Sequence, residues 1–181
     1  MSSDGPDDVL PAGAFSAWLA GMAAALRGEG ESDVPCGSCT ACCTSSQFVL
    51  IEPDEIDTLA RVPADLLFPA PQRPRGHVLL PYDERGHCPM LVEGACSIYE
   101  HRPRTCRVYD CRVFTAAGCD PARDGKVAVA LQVRRWRFDH PTSDDRAQHD
   151  AVVAAAKSID APSEIARAVR AVESVATRPP E

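Results

Sequence analysis

The chain has 181 residues, 45% of them hydrophobic and 25% charged, which suits one globular domain able to bury a core without covalent staples. Its 26 acidic residues outnumber 19 lysines and arginines, and the net charge of -7 excludes a general binder of phosphate backbones. Nine cysteines occur without a basic leader, and the apolar run from Ala12 to Leu26 is too short and alanine-rich for a membrane span. A reducing, cytoplasmic setting is therefore expected, with the thiols serving as metal ligands and with neither nucleic acid nor membrane as a partner.

Residues 1–10 read as a disordered tail and residues 11–28 as an N-terminal helix. Phe15, Trp18, Leu19, Met22 and Leu26 recur at three and four residues, and Gly28 supplies the stop. A polar linker, Glu29 to Pro35, leads into Cys36-Gly37-Ser38-Cys39-Thr40-Ala41-Cys42-Cys43. Gln47 to Ile51 predicts a strand, and Pro53 opens a helix through Asp54, Glu55, Ile56 and Leu59 whose acidic residues are caps. Residues 61–76, with four prolines, read as a surface loop.

His77 to Tyr82 predicts a strand, Asp83 to Gly86 a turn, and Cys88 to Val92 a second strand. Glu93-Gly94 then turns the chain into Cys96-Ser97-Ile98-Tyr99, so this meander delivers Cys88 and Cys96. Pro103 begins a helical turn carrying Cys106, and Cys111 falls beyond its end because residues five apart do not share a helix face. Gly125 to Phe138 mixes alternation with alanines and is read as a helix ending before Pro141. Asp144 to Ile159 and Pro162 to Ala176 are two further helices, the second with a stripe of Ile165, Val169, Val172 and Val175. The expected fold class is α+β: a small loop-rich, metal-centred core at 34–120 with short strands, flanked by the N-terminal helix and a C-terminal helical segment at 121–178. Those helices pack on the core or serve a protein partner.

Cys119 stands alone and reads as a packed thiol. The eight others, Cys36, Cys39, Cys42, Cys43, Cys88, Cys96, Cys106 and Cys111, are candidate metal ligands, enough for two four-thiolate sites. Cys36 and Cys39 have zinc-pair spacing, but no second pair does. The run Cys36, Cys39, Cys42 with a remote Cys88-Pro89 favours an iron–sulfur cluster, and zinc stays open because soft thiolates suit both. Adjacent Cys42 and Cys43 diverge and do not close one compact tetrahedron together. His87 reads as an outer-sphere or surface residue. Arg85, Arg102, Arg104, Arg107 and Arg112 surround the later cysteines and are read, evenly, as solvated surface or as compensation of thiolate charge. No phosphate-binding loop, nucleophile elbow or HExxH pair is present, so no catalytic residue is assigned.

The CxxCxxCC run, Cys96-Ser97-Ile98-Tyr99, Arg102-Pro103 and Cys106-Arg107-Val108-Tyr109-Asp110-Cys111 together resemble the bacterial cysteine-cluster (YkgJ-like) family, described as a zinc- or iron-chelating domain. The resemblance covers residues 34–112 and implies a ligand role for the eight cysteines and a structural role for Tyr99, Arg102 and Tyr109. A related cluster in flagellin lysine N-methylases implies an iron–sulfur site serving methyl transfer, but no S-adenosylmethionine loop is recognisable here. Three roles are thus expected in rivalry: a metal-binding cysteine-cluster protein, an iron–sulfur redox or methyl-transfer enzyme, and a zinc module for a protein partner.

Overall fold

The structure is a computed structural model that describes residues 8–32, 34 and 38–177; Cys36 and most of the expected N-terminal tail lie outside the described residues. In chain order the elements are β1 (Leu10–Ala14), α1 (Phe15–Leu26), β2 (Val49–Ile51), α2 (Ile56–Leu59), β3 (Phe68–Pro69), β4 (Val78–Leu80), β5 (Leu91–Val92) and β6 (Ala95–Cys96). They continue with α3 (Arg104–Val108), α4 (Arg112–Ala117), α5 (Val127–Val133), β7 (Trp136–Asp139), α6 (Ser143–Ser158) and α7 (Glu164–Ala176). The fold is α+β, as the sequence pattern predicts. Among the described residues no helix is long and apolar enough to cross a membrane. The chain divides into two units, one of residues 1–34 with 110–181 and one of 35–109. The cysteine-bearing unit thus ends at 109, short of the expected 120, and Cys111 belongs to the helical unit.

In the helical unit, β1 and β7 pair in parallel, Leu10 opposite Trp136 and Ala14 opposite Asp139. Three expectations are corrected here. Residues 8–10 are not a loose tail, because Leu10 N–H donates to the Arg135 carbonyl at 2.8 Å and Arg135 Nε donates to the Asp8 carbonyl at 3.0 Å. The helix read for 11–28 begins only at Phe15, and the helix read for 125–138 stops at Val133 so that Trp136 can enter the core at 1% exposure. Pairing partners 126 residues apart leave no local trace in either segment.

Two buried carboxylates fasten this unit. Asp110 accepts the Trp18 indole N–H at 2.9 Å and the Ser32 hydroxyl at 3.1 Å, and it pairs with Arg112 at 2.8 Å; Arg112 Nη1 also reaches the Ala12 carbonyl. Asp145 completes a capping box with Thr142 at the start of α6, and its other oxygen accepts the Ser16 N–H at 2.9 Å and hydroxyl at 2.5 Å. The first turns of α1 and α6 are thereby tied to one carboxylate. Ala116 on α4 and Ala168 and Ala171 on α7 are fully buried, so these helices approach closely, with Val113, Val152 and Val172 filling the spaces. The buried face of α7 runs through Glu164, Ala168, Ala171 and Val172; Ile165, Val169 and Val175 of the expected stripe lie at its flanks, half-buried.

In the cysteine-bearing unit, β2, β4 and β3 form an antiparallel sheet with Val49 opposite Leu80 and Phe68 opposite Leu79. β3 lies in the stretch read as an unstructured loop. Its two residues are too few to show alternation. The core is Val49, Ile51, Val62, Leu80, Met90 and Ile98, and Cys88 and Cys96 pack against it. Burying Ile51 and Leu80 fully contributes about 1.5–3 kcal/mol each. The strand expected at Cys88 to Val92 shrinks to Leu91–Val92, leaving Cys88 before the turn at Pro89-Met90, and the helix expected from Pro53 begins only at Ile56.

Hydroxyl donors from Ser16 and Thr142 hold the Asp145 carboxyl well below the usual carboxylate range. A depressed folded-state value means the contribution to stability is present above the unfolded value, about 3.9, and is lost as pH falls below it. Acid unfolding of Asp145→Asn is therefore expected to show a shallower pH dependence below pH 4 than the unaltered chain, with lower stability at neutral pH. Superimposable acid curves followed by circular dichroism would contradict this.

Candidate metal centre

The cysteine loop is held against the turn that carries Cys88. The chain makes a 3₁₀ turn at Cys42–Thr44, braced by the Thr44 hydroxyl on the Thr40 carbonyl at 3.1 Å and the Ser45 hydroxyl on the Ala41 carbonyl at 2.6 Å. Two backbone bonds then join it to the later segment: Cys88 N–H donates to the Cys43 carbonyl at 2.7 Å, and Ser46 N–H to the Gly86 carbonyl at 2.8 Å. The turn itself is organised by Asp83, whose Oδ1 accepts the Arg85 and His87 N–H groups at 2.9 and 2.8 Å. Gly86 has φ +81°, and a Cβ there would collide with Ser46 Oγ.

Cys88 and Cys96 follow from one tight hairpin. Glu93 and Gly94 take φ +50° and +78°, the signature of a type I′ turn, which sets Cys96 opposite Leu91. Before the hairpin, the Leu91 N–H donates to the Cys88 carbonyl at 2.9 Å and closes the turn at Pro89-Met90.

Cys106 is presented by α3, whose start is fixed by a buried carboxylate. Glu55 accepts the Arg104 N–H at 2.5 Å and the Glu52 N–H at 2.8 Å, and Arg107 stands 4.0 Å away. The Thr105 hydroxyl donates to the Leu50 carbonyl at 2.8 Å, pinning α3 beside β2. Glu55 is therefore not a cap of α2, as its sequence position suggests. It caps α3, a partner 49 residues away that nothing in its neighbourhood announces.

Cys43, Cys88 and Cys96 lie within electrostatic reach of Cys106, and Cys96 within reach of Cys88. Burial pushes the Cys106 thiol up to about 12, with Cys43, Cys88 and Cys96 adding to it and Arg102 opposing. Cys106 is open to solvent on one side, so this burial comes from the protein atoms packed around the rest of it. The Cys88 thiol is raised first by burial and further by Cys96, while the Met90 and Leu91 N–H groups pull the other way. Thiolates are a donor type suited to zinc or to an iron–sulfur cluster. Among the described residues no three Cys, His, Asp or Glu side chains stand close enough to hold a metal ion as they are.

The other candidates are distributed differently. Cys39 and Cys42 are half-buried on the loop, and the described cysteines form no disulfide. Cys111 is buried in the helical unit, where Trp136 Nε1–H donates to its sulfur at 3.2 Å. Cys119 also lies there, pushed up to about 11 by burial and by Glu164. Among the clustered arginines, Arg102 acts on Cys106 and stacks 4.2 Å over Tyr99, whereas Arg85, Arg104, Arg107 and Arg112 pair with carboxylates. Their gathering near the cysteines thus reflects the anchoring of turns and helix starts more than charge compensation.

Replacing Gly86 by alanine forces a side chain into positive φ and against Ser46 at once. A loss of about 1–3 kcal/mol in stability is expected, read by urea unfolding, together with weaker retention of metal under a competing chelator. An unchanged midpoint would contradict the role given to the 43–46 and 86–88 pairing.

No curated protein and no solved structure matches the chain. The family model that does match is described as a candidate zinc- or iron-chelating domain, and it covers residues 35–127, just over half of the chain and all nine cysteines. With the thiol arrangement and this match together, the chain belongs to the CxxCxxCC family.

Proposed function

We propose that this protein is a metal-binding cysteine-cluster protein in which Cys43, Cys88, Cys96 and Cys106 hold one centre as thiolates. The observation that carries the reading is that Cys43, Cys88 and Cys96 all act electrostatically on Cys106, with Cys88 tied to the cysteine loop by its N–H bond to the Cys43 carbonyl. Loading would draw the four segments together, since sites of this kind couple metal binding to folding. Cys36, Cys39 and Cys42 are proposed as donors to a second centre. Cys111 is left out of both, because it is buried in the helical unit and not in the unit that carries the other candidates.

Of the two metals that the family description names, we favour iron, as an iron–sulfur cluster. The two-residue repeat at Cys36, Cys39 and Cys42 and the Cys88-Pro89 step support it. When bound, such a cluster supplies one-electron chemistry. Zinc closed by four thiolates would instead make the centre structural.

Anaerobic purification with metal and acid-labile sulfide analysis tests the reading. Iron and sulfide in equal amounts with broad visible absorption are expected. Cys88→Ser and Cys106→Ser should lose metal from the four-thiol centre, and Cys119→Ser should keep full content. Zinc without sulfide would overturn the iron assignment alone. Full metal content in both Cys88→Ser and Cys106→Ser, or no binding by the unaltered chain after reconstitution, would overturn the site.

A further inference from the structure

The helical unit contains a histidine pair that neither the cysteine chemistry nor the family accounts for. His140 Nε2 and His149 Nδ1 are 2.8 Å apart. Their rings are tilted by only 14° with centroids 5.1 Å apart, the separation of two imidazoles meeting edge to edge nearly in one plane. Phe15 lies over this pair, 4.3 Å from the His149 ring at 12° and 6.2 Å from His140 at 15°. Phe138 stands edge-on to both Phe15 and His149. The pair therefore joins the end of β7 to α6 beneath the first residue of α1.

The contact between the rings is a single N–H···N bond, which needs a proton on one of the two facing nitrogens and none on the other. While either ring is neutral that bond can be made. When both rings carry their second proton, two N–H groups face each other and the bond is lost.

We propose that His140 and His149 form an acid-released latch, which holds α6 against β7 and α1 while one of the two rings is neutral and lets go when both are protonated. The groups around His149 set the balance. Burial and His140 disfavour its charged form, Arg146 on α6 adds to them, and the Thr115 carbonyl and Asp150 on α6 oppose; the net effect holds His149 below its ordinary value. Phe15, Trp18 and Phe138 contribute uncharged rings, and the nearby Asp145 is engaged with Ser16 and Thr142. A depressed folded-state value gives stability that is complete above the unfolded value, about 6.5, and declines as pH falls below it. This window lies above the one in which Asp145 titrates.

The test is urea unfolding of the full chain between pH 7.5 and 5.0, with hydrogen exchange read along α6. The folding constant is expected to fall by up to about tenfold per pH unit below 6.5, and α6 amides should lose protection over the same range. The readout is the difference from His149→Gln, which removes this titration while leaving the thiols untouched. That variant should show a flatter profile. His140→Gln provides a second measurement that does not depend on the folding of His149→Gln: its amide can still donate to His149 Nδ1 without charge, so the His149 resonance should titrate at higher pH than in the unaltered chain. Equal slopes for the unaltered chain and His149→Gln, or a His149 titration unmoved by His140→Gln, would overturn the latch.

Discussion

The bond from the Cys88 N–H to the Cys43 carbonyl, 2.7 Å long, is the contact on which the cysteine-bearing unit depends. It closes a span of 45 residues and lays the end of the CxxCxxCC run beside the turn that supplies the next cysteine. Everything else in that unit either permits this contact or exploits it. Asp83 shapes the turn, Gly86 lets Ser46 approach, and the β5–β6 hairpin returns Cys96 beside Cys88. Glu55 then sets the start of α3, the helix that carries Cys106. The small apolar core of Val49, Ile51, Leu80, Met90 and Ile98 backs the arrangement, with Cys88 and Cys96 packed on it.

Carboxylates play the corresponding part in the helical unit. Asp110 and Asp145 are nearly inaccessible to solvent, and each gathers donors from distant segments. A buried charge is tolerated only when fully hydrogen-bonded, and both satisfy that condition with hydroxyl, indole, guanidinium and backbone donors. Removing a partner from the buried Asp110 and Arg112 pair would leave an uncompensated charge, a change that costs about 3–5 kcal/mol in comparable sites.

The parts of this structure legible in the sequence are those with a local signature. The α1 stripe, the starts of α6 and α7, the Glu93-Gly94 turn and the density of thiols all appear where residue spacing places them. What was hidden depends on partners far along the chain. β1 gives no sign of itself because its only neighbour is β7, and Trp136 ends a run of alanine and valine that otherwise reads as helix. Glu55 looks like a cap and is one, for a different helix. Cys111 carries the same motif spacing as Cys106 but sits in the other unit, and spacing alone does not record which unit a residue joins.

The most direct test of the account is X-ray absorption at the metal edge of the anaerobically purified protein. Four thiolates around a centre predict a first shell made of sulfur alone, at about 2.3 Å for both zinc and iron–sulfur sites, with an iron–iron distance visible beyond it if the centre is a cluster. A first shell dominated by nitrogen or oxygen would contradict the assignment of Cys43, Cys88, Cys96 and Cys106 as the ligands.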